Sequence, residues 1–251
     1  MRYLILLLLL SLGAYAFEPH STGVLLVHGK GGMPTSTWES FQAALEKEGF
    51  VVIAKEMPWS KERYLDKSYE ASIEEIQGYL KELHSQNLKH IVLIGHSLGA
   101  NVSIAYASLH PLDAMVSIAP GHNPIRTQAY FKSSVELAKR MMEEGKGSMV
   151  ASFADTSANK QFMKEMPADI YYSFFSPIGL GAMSLRAALL PKSLPVLYLA
   201  GKDDPLTSKN GTETFDAMPK TPQSQYRVIE GDHKSVIQAS QTEVIGWLKG
   251  L

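Results

Sequence analysis

Ser97 is the first residue of this chain placed to do chemistry, in Gly95-His96-Ser97-Leu98-Gly99, a G-x-S-x-G pentapeptide. On its own the pentapeptide is a weak signal, so its setting carries the inference. The apolar run His90-Ile91-Val92-Leu93-Ile94 leads straight into it, and residues 100–109 follow with helical spacing and no intervening loop. A strand that turns sharply into a helix lifts the serine Oγ clear of the sheet edge. It also sets that oxygen at a helix N-terminus, where the dipole favours developing negative charge. The flanking glycines permit the turn because neither has a Cβ to clash. A neutral serine is a poor nucleophile and needs a base that a third group orients. Gly201-Lys202-Asp203-Asp204-Pro205 offers two carboxylates after one late apolar run, and Glu230-Gly231-Asp232-His233 offers an imidazole after the next. All of these would stand beyond the carboxyl ends of parallel strands, where sites in open α/β sheets lie. Of the eight histidines, His233 alone combines a late position, a post-strand loop and a glycine two residues earlier. His28 and His96 fall in motif loops and are expected to pack. His122 follows a strand and can line a pocket, whereas His20, His84, His90 and His110 are expected at the surface.

The elements that must position these groups alternate along the chain. Six short apolar runs, at 23–27, 51–54, 91–94, 114–118, 195–199 and 226–229, read as strands. Helical periodicity occupies 38–47, 69–84, 100–109, 211–218 and 235–249. Trp38, Phe41 and Leu45 share one face of the first helix, and Ile73, Ile76, Leu80 and Leu83 one stripe of the second. Strands buried on both faces and separated by helices predict an α/β fold, a doubly wound parallel sheet with right-handed crossovers. Residues 121–193 break the alternation with helical patterns and no obvious strand. They predict a helical insertion before the fifth strand, either a lid or cap over the site or extra scaffold. Met163, Met166, Tyr171, Tyr172, Phe174 and Phe175 within it either line an apolar acyl pocket or form the insertion's own core.

Composition bounds the function. Among 251 residues, 24 are basic and 25 acidic, for a net charge of -1. That balance supplies no general drive toward nucleic acid or an anionic membrane. A 45% hydrophobic and 20% charged chain is a folded one. With no cysteine, disulfides, thiolate nucleophiles, zinc–thiolate sites and iron–sulfur clusters are excluded. Residues 1–16 carry Arg2, a leucine run and Ala14-Tyr15-Ala16, the order of a secretory signal peptide cleaved after Ala16. The alternative, a membrane anchor, needs about 20 apolar residues, and Glu18-Pro19-His20 cuts this stretch short. The expectation is an exported protein, periplasmic or secreted, with one domain over 17–251 and no stable membrane span after cleavage.

Four segments in order, LLVHGKGG, LIGHSLGANV, LAGKDDPLT and EGDH, give the chain a resemblance to the α/β-hydrolase superfamily of the serine esterase and lipase type. The likeness runs from Gly23 to Trp247. It implies Ser97 as nucleophile, His233 as base and Asp204 rather than Asp203 as the acid, because that acid commonly stands three residues after the loop glycine and before proline. It implies an oxyanion hole made by the backbone N–H groups of Leu98 and Lys30. The Lys30 side chain is expected in solvent, the alternative being a positive charge at the pocket mouth that favours acidic substrates. So few residues precede the first strand that the family's leading hairpin has no room. A minimal sheet of order 2-1-3-4-5-6 is therefore expected, with 17–22 as a short extended tail. The implied reaction is hydrolysis of a small-molecule carboxylic ester through a covalent acyl-enzyme, with no metal, organic cofactor or nucleic-acid partner. Amidase, peptidase or acyltransferase chemistry on the same residues is the alternative within hydrolases. A non-catalytic binding protein on the same scaffold is the alternative of another class.

Overall fold

The computed structural model describes residues 17–157, 160–206 and 212–251. The expected signal peptide and the expected helix start at Gly211 lie outside the described residues. Alternating apolar runs become β1 (Thr22–Val27), α1 (Pro34–Lys47), β2 (Val51–Ala54), α2 (Tyr69–His84), β3 (His90–His96), α3 (Leu98–Ala107) and β4 (Ala114–Ile118). The chain closes with β7 (Val196–Gly201), α7 (Glu213–Ala217), β8 (Gln225–Ile229), α8 (Ser235–Ala239) and α9 (Gln241–Lys249). Between β4 and β7 lie α4 (Pro124–Glu143), β5 (Val150–Ser157), β6 (Lys160–Pro167), α5 (Ala168–Phe175) and α6 (Met183–Ala187). The six-stranded sheet has order β2-β1-β3-β4-β7-β8, every neighbouring pair parallel. Counted within the sheet alone, that is 2-1-3-4-5-6.

Side-chain alternation along β1 divides the core into two layers. Val24 and Leu26 join Trp38, Phe41 and Leu45 of α1 and Val244, Trp247 and Leu248 of α9. Leu25 and Val27 point to the other face, onto Ile73, Ile76 and Leu80 of α2 and Val102 and Ala105 of α3. Successive residues of a strand face opposite ways, and a sheet covered by helices on both sides needs apolar residues at every position. All ten residues of α3 are buried, as expected of a helix apolar on all sides. Fully buried, α3 is a fixed platform for the residue at its N-terminus.

Two expectations are corrected. The segment 17–22 is no extended tail: Phe17 is buried and stacks on His90 at 4.1 Å, and a 3-10 turn over Pro19–Ser21 leads into β1. That stacking also takes His90 out of full solvent exposure. The insertion is not wholly helical either. β5 and β6 pair antiparallel, with Phe153 opposite Lys164 and Asp155 opposite Phe162, as a separate two-stranded sheet. Of the two roles open to the insertion's aromatic residues, packing is the observed one for Tyr171, Phe174 and Phe175. Phe153 stacks on Tyr171 and Tyr171 on Phe175, each at 4.4 Å, inside the core shared with α2 and α3. Met163 is exposed.

Candidate active site

β3 delivers its last residue, His96, at the sheet rim, and α3 begins two residues later. Ser97 bridges them with φ 54° and ψ -121°, a left-handed conformation that a non-glycine residue adopts at a cost of roughly 1–3 kcal/mol. Its neighbours explain why the turn must be this tight. A Cβ on Gly95 would sit 2.5 Å from the Gly99 carbonyl oxygen, and one on Gly99 only 2.3 Å from that of Val27. Both positions therefore exclude a side chain, and the elbow lies directly on β1. The Ser97 N–H donates to Ile118 O at 3.1 Å and Ser97 O accepts from Gly121 N at 3.1 Å, tying the turn to the end of β4.

The side chains brought to this point form one line. Ser97 Oγ lies 2.8 Å from His233 Nε2, and His233 Nδ1 lies 2.8 Å from Asp204 Oδ2. Asp204 is buried, and its Oδ1 accepts from Leu206 N at 2.8 Å. Carboxylate bonds that fix both oxygens set the imidazole tautomer: Nδ1–H donates to Asp204, leaving the Nε2 lone pair for the serine hydroxyl. Asp203 does something else. Its N–H donates to Gly231 O at 3.0 Å, holding the loop after β7 to the loop after β8, while its side chain is exposed. Leu98 opens α3, so its N–H belongs to the first turn that a helix leaves without an internal partner. In the loop after β1, the N–H groups of Gly31 and Gly32 are committed to Trp59 O at 2.8 Å and Gly29 O at 3.0 Å.

A shell of three histidines surrounds the line, with His28 and His96 buried and His122 half-buried. His28 accepts from Met57 N at its Nε2 (3.0 Å), so its Nδ1–H faces Gly29 O at 2.8 Å. Burial lowers its pKa. His96 Nε2–H donates to the backbone oxygen of His233 at 2.7 Å. Burial, with a smaller contribution from His233, pushes His96 down to about 4. His122 Nε2–H donates to Phe174 O at 2.7 Å, and burial followed by the nearby Lys30 charge lowers it to about 4 as well. These rings are neutral, hydrogen-bonded supports at neutral pH. His28 and His96 thus pack as expected, whereas His122 spends its ring on the insertion's backbone.

Several contacts had no signature in the sequence. Asn101, one turn into α3, donates to His122 O at 2.8 Å and Gly181 O at 2.9 Å and accepts from the Tyr69 hydroxyl. It fixes the loop that carries Gly121 beside the serine. The Lys30 side chain corrects the expectation of a solvated lysine. Its Nζ bonds Asp155 Oδ1 at 2.6 Å and Thr156 O at 2.7 Å, and Tyr64 Oη bonds Asp155 Oδ2 at 2.7 Å. Asp155 lies 125 residues from Lys30 in sequence, and no motif pairs them. A groove of about 510 Å³ along β8 and α9, lined by Gln225, Arg227, Glu243 and Trp247, touches none of these residues.

The fold and its parallel sheet are those of an α/β hydrolase. The chain belongs to the Hydrolase_4 family, described as serine aminopeptidase, S33, which matches residues 18–234, and it is a serine hydrolase. Similar solved structures include the monoacylglycerol lipase of Paleococcus ferrophilus, at 19% identity and TM-score 0.66, covering 94% of this chain and 96% of that one. A highly thermostable carboxyl esterase from Bacillus coagulans matches at 16% identity and TM-score 0.68, covering 94% and 91%. Est1E from Butyrivibrio proteoclasticus, solved with ferulic acid bound, matches at 13% identity and TM-score 0.62, covering 91% and 87%. At these identities the likeness is one of fold. No curated protein matches the chain.

Proposed function

We propose that the protein hydrolyses carboxylic esters through a Ser97–His233–Asp204 triad and a covalent acyl-enzyme. The observation that carries this reading is His233 bonded at 2.8 Å on both sides, to the serine oxygen and to a buried carboxylate. As Ser97 Oγ attacks the acyl carbonyl, His233 Nε2 accepts its proton and returns it to the leaving alcohol, while Asp204 stabilises the imidazolium. Water then attacks the acyl-enzyme by the same route. The N–H groups of Leu98 and Lys30 receive the tetrahedral oxyanion, each contributing on the order of 3 kcal/mol to the transition state.

The family description raises a second reading, an aminopeptidase on the same residues. Such an enzyme needs an anion for the substrate's terminal ammonium. Asp155, the buried carboxylate nearest in contact to the Lys30 loop's side chain, is already taken by Lys30, Tyr64 and the Thr156 N–H. The esterase and lipase among the similar structures support the ester reading too. A screen of p-nitrophenyl esters of rising chain length beside aminoacyl anilides decides between them. Ester turnover and fluorophosphonate labelling, both abolished by Ser97→Ala, are expected. Preferential anilide cleavage would transfer the assignment to the peptidase.

Residues 1–16 are proposed to direct export, to the periplasm or beyond, with Phe17 as the mature first residue. Support comes from the charged start, leucine core and Ala-x-Ala end of the segment. Among the described residues, no helix is long and apolar enough to cross a membrane. Intact-mass measurement of exported protein is expected to give a chain beginning at Phe17, and retention of Met1 would refute it.

A further inference from the structure

Gly29-Lys30-Gly31-Gly32 contains one side chain. Glycine leaves the backbone free to rotate, so beside the backbone bonds made by Gly29 O and the Gly31 and Gly32 N–H groups, the Lys30 side chain is the one side-chain handle by which the rest of the protein can fix the orientation of this loop's peptides. Open space surrounds the loop at its next residue: Gly31 has φ +72°, and a Cβ there would meet nothing within 4 Å. The handle is held from the insertion. Lys30 Nζ bonds Asp155 Oδ1 and Thr156 O on β5.

Asp155 is built for this purpose and for little else. It is 1% exposed, and a carboxylate so far from water is tolerated only when paired and fully hydrogen-bonded. Its Oδ1 receives Lys30 Nζ and the Thr156 N–H, both at 2.6 Å, and its Oδ2 receives the Tyr64 hydroxyl at 2.7 Å. Tyr64 comes from the loop between β2 and α2, and Lys164 of β6 lies 4.3 Å over its ring. That same loop carries Trp59, whose Nε1 donates to His28 O at 2.7 Å and whose carbonyl receives Gly31 N–H. Three segments remote in sequence therefore meet at one buried carboxylate, and one of them is the loop after β1.

We propose that the β5–β6 hairpin is a positioning arm for the oxyanion hole, with Asp155 as its positioning residue. The carboxylate anchors Lys30 and so aims the Lys30 N–H at the substrate oxyanion. This rests on the ester-hydrolase reading above. An N–H that is present but misaimed loses transition-state stabilisation without weakening ground-state binding, so the arm acts on kcat and not on KM.

The test compares steady-state hydrolysis of p-nitrophenyl acetate by the wild type, Asp155→Asn, Lys30→Met, Lys30→Arg and the Lys30→Met/Asp155→Asn double variant, with the rate of fluorophosphonate labelling at Ser97. Asp155→Asn and Lys30→Met are each expected to lower kcat by roughly 10- to 100-fold, below the full loss of an oxyanion donor, with KM within about twofold. Labelling should slow in parallel, because phosphonylation uses the same hole. The double variant is expected to be no slower than the slower single one, since both remove one contact, and Lys30→Arg to recover part of the rate. The double variant removes the buried charge together with its partner, so it reads the same contact if a single variant fails to fold. Wild-type kcat in Asp155→Asn, an effect confined to KM, or multiplicative losses in the double variant would overturn the arm while leaving the esterase intact. A wild type that turns over no ester would overturn the esterase and the arm with it.

Discussion

The conformation of Ser97 is set by what its neighbours lack. Ser97 holds φ 54° because β1, β4 and α3 converge on it too closely for any other path, and the glycines at 95 and 99 keep that convergence free of side chains. Gly121 belongs to the same set, although no motif marks it. A Cβ there would lie 3.0 Å from Ser97 Oγ, 3.2 Å from Leu206 Cδ1 and 3.8 Å from His233 Cε1. No backbone atom stands that close, so Gly121→Ala should fold while crowding the space an acyl group must enter. A misplacement of the reacting atoms by about 1 Å costs on the order of 10²-fold in rate. We therefore expect Gly121→Ala to lower kcat/KM for p-nitrophenyl butyrate by about that factor with an unchanged urea midpoint. Wild-type turnover by this variant would mean that substrate does not approach from the Gly121 side.

At the level of elements, legibility followed the strength of the periodic signal. The four inner strands of the main sheet, β1, β3, β4 and β7, were readable because both faces are buried, so each is a short continuous apolar run, while the edge strands β2 and β8 are only half-buried and were readable from their β-branched residues and their place in the alternation. β3, the elbow and α3 were readable because the motif needs that order. The β5–β6 hairpin was not, because its pattern is mixed: β5 buries Asp155 on the same face as Phe153 and leaves Val150 exposed, and β6 buries Met166 but exposes Met163. A carboxylate among the buried positions of one strand and a methionine among the exposed positions of the other match neither a half-buried strand nor an amphipathic helix. The burial of Asp155 follows from the Lys30 ion pair, a partner that local sequence cannot supply. Phe17 failed for a similar reason. A single aromatic residue beside the predicted cleavage site gives no period, and its burial depends on His90, which lies 73 positions away in the numbering. His233 was legible from its place in a post-strand loop, and Asp204 only through the family resemblance, since the residues alone left Asp203 open beside it; the bonds that bring them into line with Ser97 exist only in three dimensions.

Across the whole molecule, near-zero net charge hides an asymmetry in how folding handles protons. His96 and His122 are held at about 4, against an ordinary 6.5, chiefly by burial, and His28 is lowered for the same reason. Above pH 6.5 these rings are neutral in both folded and unfolded chains, so they do not alter stability. As pH falls from about 6.5 toward 4, the unfolded chain takes up protons that the native one refuses, and stability is lost across that window. Carboxylates act lower. Burial raises the pKa of Glu75, but its bonds to Arg63, Lys67 and Tyr79 outweigh that and bring it to about 2, from 4.5. Its contribution therefore disappears only as pH drops below about 4.5. The two windows are separate enough to test. Urea midpoints taken between pH 7.5 and 4.5 should fall monotonically, the unfolding free energy they report dropping by about a few kcal/mol in total. His122→Gln, whose amide can still donate to Phe174 O, should show a shallower decline from a lower starting value. A midpoint that stays level from pH 6.5 to 4.5 in the wild type would show that these imidazoles are not buried neutral, and would remove the rigid shell from around the serine.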